Sequence, residues 1–253
     1  MRLSDRMSVS SQRKPSMKIT TQGRLLPLAA ALALTAAPAS ALSIEFDDGT
    51  TAFTVADGGG MDDDRTAGRL EYTSASTSPL AGWRTLSAMA TSCRNAIDCP
   101  NLTLDFEVDS GGAAADLYLR VTETDLTLDG GRTVFDTALS GTAQDRVEAA
   151  FYYDPSNTPF GQAVQIDESF AFASGGDFSA YSRDGEDEAA GASPFSLTTV
   201  YRIVHEAGGT QTLGDSKMTA ASASPVPVPA ALPLLAGGLG VSGLALRRRR
   251  GRA

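Results

Sequence analysis

The run Phe195-Ser196-Leu197-Thr198-Thr199-Val200-Tyr201-Arg202-Ile203-Val204 decides the fold. In an extended chain successive side chains point to opposite faces, so Phe195, Leu197, Tyr201 and Ile203 fall on one face. A period of two over such a length reads as a strand with one face on a core and one in water. Working outward, Leu102-Thr103-Leu104-Asp105-Phe106-Glu107-Val108 repeats the pattern with its even positions inward. Leu117-Tyr118-Leu119-Arg120-Val121-Thr122 continues it on odd positions. Shorter candidates are Ser43–Phe46, Ala52–Ala56, Arg69–Thr73, Trp83–Ala88, Thr133–Leu139, Glu148–Tyr153 and Ala163–Ile166. Turn chemistry punctuates them: Asp57-Gly58-Gly59-Gly60, Asp109-Ser110-Gly111-Gly112, Asp129-Gly130-Gly131 and Ser174-Gly175-Gly176-Asp177. About ten short strands without an amphipathic helix between them predict an all-β antiparallel sandwich, in jelly-roll or immunoglobulin-like order.

The two ends read differently. Met17-Lys18-Ile19-Thr20-Thr21-Gln22-Gly23-Arg24 is a short basic stretch, Leu25–Ala37 is apolar, and Ala39-Ser40-Ala41 supplies small residues. That order is a signal peptide, with a helical apolar region and a cut after Ala41. At the other end Pro225-Val226-Pro227-Val228-Pro229-Ala230 favours an extended stem. Ala230–Leu246 is apolar and is followed by Arg247-Arg248-Arg249-Arg250. As a transmembrane helix that segment would be about 25 Å long, the short end of what a bilayer needs. The arginines would hold the tail's end in the cytoplasm and put the preceding domain outside. The expected organisation is residues 1–41 for export, 42–220 for the sandwich, and 221–253 for linker and tail. The export segment implies the Sec translocon and signal peptidase as partners.

The tail resembles the VPLPA-CTERM variant of the PEP-CTERM protein-sorting tails. Val226-Pro227-Val228-Pro229-Ala230 differs from that motif at one position, and the single apolar segment and terminal arginine cluster match in order. The resemblance covers about the last 28 residues. It implies recognition at Val226, Pro227, Val228, Pro229 and Ala230 by an exosortase-type enzyme, transient anchoring in the inner membrane, and delivery to the cell surface or outside. It also implies association with extracellular polysaccharide. The segments from Thr54-Val55-Ala56-Asp57-Gly58-Gly59 to Ser193-Pro194-Phe195-Ser196-Leu197-Thr198 resemble an ectodomain type common among such proteins, which brings no activity with it.

Charge narrows the function. The chain carries 21 basic and 30 acidic side chains. Residues 1–24 hold six of the basic ones and a single acid, and residues 247–253 hold five arginines. The stretch between is left with 10 basic against 29 acidic residues. A domain that acidic repels nucleic acid and anionic lipid.

Few residues suggest chemistry. Cys93 and Cys99 are the two cysteines, and in an exported protein their spacing reads as a disulfide closing a surface loop. The one histidine, His205, falls on the core parity of the 195–204 strand, and no Gly-x-Ser-x-Gly elbow offers it a serine. Trp83, the single tryptophan, reads as a core residue. Asp57, Asp62, Asp63 and Asp64 surround a glycine-rich turn and supply carboxylates of the kind calcium takes, without EF-hand spacing. Asp184–Glu188 reads as solvated surface, and Asp47-Asp48 and Asp125 with Asp129 are further acidic groups. No cofactor is expected other than calcium at that loop. The expected function is that of a non-enzymatic surface or matrix protein. The alternative is a calcium-assisted glycan-binding module, needing an exposed aromatic such as Tyr152 or Tyr153. A secreted hydrolase comes third.

Overall fold

The computed structural model describes residues 42–74, 78–93, 100–128, 133–173, 175–187 and 194–222. These lie in one compact unit, Ala39–Ala253; the other unit, Met1–Pro38, falls outside the described residues. So do the signal segment with Ala39 and Ala41, Cys99, Asp129, and the tail with its motif at 226–230.

The described residues are all strand and turn. The strands are β1 (Leu42–Asp47), β2 (Ala52–Ala56), β3 (Arg69–Thr73), β4 (Trp83–Cys93), β5 (Asn101–Ser110), β6 (Ala115–Leu126) and β7 (Thr133–Ala143). They continue with β8 (Arg146–Asp154), β9 (Val164–Gln165), β10 (Phe170–Phe172), β11 (Gly176–Asp187), β12 (Phe195–His205) and β13 (Gln211–Ser222). Sheet A runs β10-β8-β12-β6-β1-β2, with β9 also on β8, and sheet B runs β11-β7-β13-β5-β4-β3. Every pairing among them is antiparallel. The antiparallel sandwich expected from the alternation is therefore present.

The alternation places the core as read. Leu102, Leu104, Phe106 and Val108 are buried from sheet B, and Leu117, Leu119 and Val121 from sheet A. Leu197, Thr199, Tyr201 and Ile203 of β12 register beside Tyr153, Phe151, Ala149 and Val147 of β8 on the same inner face, with Phe195 buried at its end. Trp83 is buried in this core as expected.

Four readings change. Gln211–Ser222, not read as a strand, is β13 at the centre of sheet B. Gly214 and the polar residues around it broke the apolar alternation. Residues 221 and 222, read as the start of the linker, finish that strand. Gly176 and Asp177, read as turn, begin β11; Phe178, buried beneath it, was the one strong apolar cue. Asp109 and Ser110, also read as turn, complete β5.

β12 is buried on both faces over Ser196–Thr199. The loop after β8 covers it: Ser196 Oγ donates to the Thr158 carbonyl (2.8 Å), and the Phe160 amide donates to Thr122 Oγ1 (3.2 Å) beside Thr198. Asp125, Asn157 and Phe160, the non-glycine residues with positive φ among the described residues, all sit at this strap. The Asp125 amide and the Asn157 side-chain amide donate reciprocally at 2.8 and 2.7 Å, which offsets the strained backbone.

Candidate functional site

The outer faces of the two sheets differ in how their charges are used. On sheet A the carboxylates have cations. Arg120 pairs with Glu45 and, at 3.5 Å, with Asp47; Arg202 pairs with Asp116 at 3.1 Å and Glu148 at 3.5 Å. Both guanidinium groups lie over the Tyr118 ring, 5.4 and 5.8 Å from its centroid. That face is filled by its own ion pairs.

Sheet B is different. The register lays two parallel rows of outward side chains across β4, β5, β13 and β7. One row is Met89, Asp105, Asp215 and Ser140; the other is Ser87, Glu107, Leu213 and Thr142. Between them the rung Phe106–Gly214–Gly141 forms the floor. The result is a groove of about 530 Å³ lined by both rows, Ser140 excepted, and by that floor. Its walls stand two residues apart along each strand, about 7 Å, and it crosses three strand spacings, about 14 Å. Thr142 and Leu213 also line a second depression of about 460 Å³ that continues toward Gln144, Gly175 and Gln211.

None of the residues lining the groove is a cation; Arg69 of β3 touches its edge, donating to Met89 Sδ at 3.2 Å while paired with Asp64. Asp105 and Asp215 stand directly opposite on neighbouring strands. Burial and the Asp215 carboxylate push the Asp105 carboxyl above its ordinary value. Asp215 accepts a hydrogen bond from Ser140 Oγ, and Glu107 accepts one from Gln211 Nε2 at 2.6 Å. No ion pair among the described residues reaches Asp105, Glu107 or Asp215. Leu213 is 40% exposed, unusual for a leucine in the middle of a sheet. Tyr181 on β11, opposite Ala138, is an exposed aromatic on the same face. Reading the sequence missed this groove because it missed β13.

The residues singled out from sequence lie elsewhere. Tyr153 is buried against Phe135 and Phe195, and Tyr152 is half-buried on the outer face of sheet A, so neither is the exposed aromatic expected. The parity of β8 decides this, because Phe151 and Tyr153 must share the inner face. Cys93 ends β4 opposite Asn101 and is disulfide-bonded.

The four aspartates of the 57–64 loop are not gathered on a common point. Asp62 accepts from the amides of Gly58, Glu71 and Asp64 at 2.8, 3.0 and 3.1 Å. Asp57 accepts from Gly68, Asp63 from Thr73, and Asp64 from Thr66 while pairing with Arg69. Among the described residues no three His, Cys, Asp or Glu side chains converge to hold a metal ion. These carboxylates fasten the loop to β3. Asp62→Ala is expected to destabilise the fold by about 1–3 kcal/mol. Millimolar calcium should leave the melting temperature unchanged at matched ionic strength. A calcium-specific rise in a thermal scan would contradict that assignment.

His205 lies away from the groove, buried at one end of the core. Its Nε2 meets Thr212 Oγ1 at 2.9 Å, joining β12 to β13 across the two sheets, and its ring packs 4.9 Å from Trp83. Burial lowers its pKa below the ordinary histidine value, against an upward pull from Asp145 and Asp109. The neutral ring is therefore the folded form. Stability from this group is full above about pH 6.5, the unfolded value, and is lost as pH falls through the lower folded value. His205→Gln should shrink the difference in melting temperature between pH 7 and pH 5. An unchanged difference would remove His205 as a contributor.

No family model matches the chain, and no curated protein matches it in sequence. Solved structures to which it is similar include TmCBM61 in complex with beta-1,4-galactotriose, at 13% identity over 55% of this chain and 88% of that one, with a TM-score of 0.29. Another is a family 16 carbohydrate-binding module-2, at 16% identity over 51% of this chain and 80% of that one, TM-score 0.26. A third is the enzymatically active domain of the bacteriophage CBA120 tailspike protein 4, at 11% identity over 51% of this chain and 17% of that one, TM-score 0.26.

Proposed function

We propose that the domain is an exported, non-enzymatic glycan-binding module that uses the outer groove of sheet B. One observation carries this reading: carboxylates outside any ion pair among the described residues, hydroxyls and the exposed Leu213 line a single trough on a sheet. Sugar hydroxyls donate to carboxylates, and the C–H faces of a pyranose ring need apolar surface; Leu213 supplies it, with the half-buried Met89 across the trough. A site on strands rather than loops holds its donors and acceptors in place without a closing motion. Calcium has no part in this reading.

Export and tail-directed sorting belong to the same proposal and rest on the sequence of the two ends. Passage of the chain between sheets at β5–β6, β6–β7 and β7–β8 favours the jelly-roll among the two strand orders.

Asp215→Ala and Leu213→Ala should each weaken retention on immobilised polysaccharide by about tenfold, roughly 1.4 kcal/mol, with little change in melting temperature. Tyr152→Ala, on the outer face of sheet A, should leave retention unchanged. Equal loss from Tyr152→Ala would place the site on the wrong sheet.

A second reading has one observation behind it. Asp105 and Asp215, opposite each other with Asp105 held toward its protonated form, resemble the acid and nucleophile of a retaining glycosidase. Both project from one sheet in the same direction rather than across a cleft, which favours binding. New reducing ends released from a bound polysaccharide by the wild type, and not by Asp105→Asn, would establish hydrolysis instead.

A further inference from the structure

Resting on the groove as a glycan site, we propose that it takes an internal stretch of an uncharged polysaccharide and rejects polyuronate and other polyanionic chains. Two observations carry the proposal. The first is charge. Asp105, Glu107 and Asp215 project into the trough, and none of its lining residues is Lys, Arg or His. The cations nearest it are Lys217, two residues from Asp215 on β13, and Arg69, which meets Met89 Sδ at the rim and is paired with Asp64. A chain with a carboxylate on each sugar would bring its charges against three fixed ones, inside a domain that is itself strongly acidic. Like charges placed together in a partly desolvated site cost several kcal/mol, enough to set specificity. Neutral hydroxyls meet the same carboxylates as hydrogen-bond donors.

The second observation is shape. All ten lining residues belong to β4, β5, β7 and β13, and none comes from a loop. Among the described residues no loop residue therefore forms a stop of the kind that would cap a chain end. The groove crosses three strand spacings, about 14 Å, and one spacing is roughly the width of a sugar ring. That is room for about three consecutive units, with the neighbouring depression at Gln144 and Gln211 extending the track.

Retention of the purified protein would be measured on columns of neutral galactan, mannan and dextran and of anionic alginate and polygalacturonate. At low ionic strength at least one neutral polymer is expected to retain it at least tenfold more strongly than either polyanion. Free trisaccharide of the retaining polymer should compete at least tenfold better than the monosaccharide, whichever end of the trisaccharide is blocked. Asp105→Asn combined with Asp215→Asn should narrow the gap between neutral and anionic polymers. Stronger retention on alginate or polygalacturonate overturns the charge rule while leaving a glycan site. Competition by monosaccharide equal to that by trisaccharide, or loss of competition on blocking one end, overturns the internal-chain rule. Retention on none of the five columns overturns the inference and the glycan reading together.

Discussion

Gly141→Val is expected to destabilise the sandwich by about 3 kcal/mol, as overpacking into a closed site does. Gly141 and Gly214 pair with each other at the centre of sheet B, with their missing side chains directed inward. A Cβ on Gly141 would lie 2.2 Å from the Leu213 carbonyl oxygen and 2.5 Å from the Phe178 ring. On Gly214 it would meet the Phe106 ring at 2.5 Å. The two glycines make the space those rings occupy, an arrangement that leaves the rings to cover backbone a side chain would otherwise shield. Nothing at Gly141 can move out of the way, because one neighbour is a ladder carbonyl and the other a buried ring. Gly60 serves as the control: a Cβ there would have nothing within 4 Å, and its φ is not positive, so Gly60→Ala should change stability by less than about 0.5 kcal/mol. Urea unfolding of the two variants beside the wild type checks both. A Gly141→Val protein with the wild-type midpoint would mean that the rung is not packed as described.

Tyr201→Ala should cost about 3–5 kcal/mol, the range for removing a large ring from a close-packed core. Tyr201 is fully buried on the inner face of sheet A, with its ring edge-on to Phe106 at 4.8 Å. Its hydroxyl donates to the backbone carbonyl of Asp215 at 3.0 Å, so it ties sheet A to the strand that carries the groove wall. Burial raises the phenol's pKa, which keeps the hydroxyl a donor at any ordinary pH. Tyr201→Phe keeps the ring and removes only this bond, at about 1 kcal/mol. A calorimetric series of wild type, Tyr201→Phe and Tyr201→Ala separates the two contributions. Equal losses for both variants would put the whole effect in the hydrogen bond and contradict the packing argument.

These two sites show what the sequence could and could not convey. Tyr201 was legible, since its parity with Phe195, Leu197 and Ile203 places it on the core face without further information. β5 and β6 were legible for the same reason. β13 was not: its inward positions hold Thr212, Gly214 and Ser216 before Met218, so the period of two is present in space but absent in hydropathy. Gly214 looked like punctuation although it is there to admit the Phe106 ring. With β13 unread, Asp105 and Asp215 were merely two acids more than a hundred residues apart. The register that sets them opposite is a property of strand pairing, which local alternation does not encode. The 57–64 loop illustrates the converse. Its carboxylates were visible at once, but whether they converge on an ion or spread onto amides depends on β3, which passes beside them and takes up Asp62 and Asp63 through the amides of Glu71 and Thr73.

The central claim is that the outer groove of sheet B is where the domain meets a glycan. Amide shift mapping of the isotope-labelled domain, titrated with the trisaccharide of whichever neutral polymer retains it, tests this most directly. The expected result is a saturable set of shifts confined to Ser87, Met89, Asp105, Glu107, Thr142, Leu213 and Asp215 and their immediate neighbours, with the amides of Tyr118, Arg120 and Arg202 unmoved. Shifts concentrated on Tyr118, Arg120 and Arg202, with the sheet B residues unmoved, would contradict it.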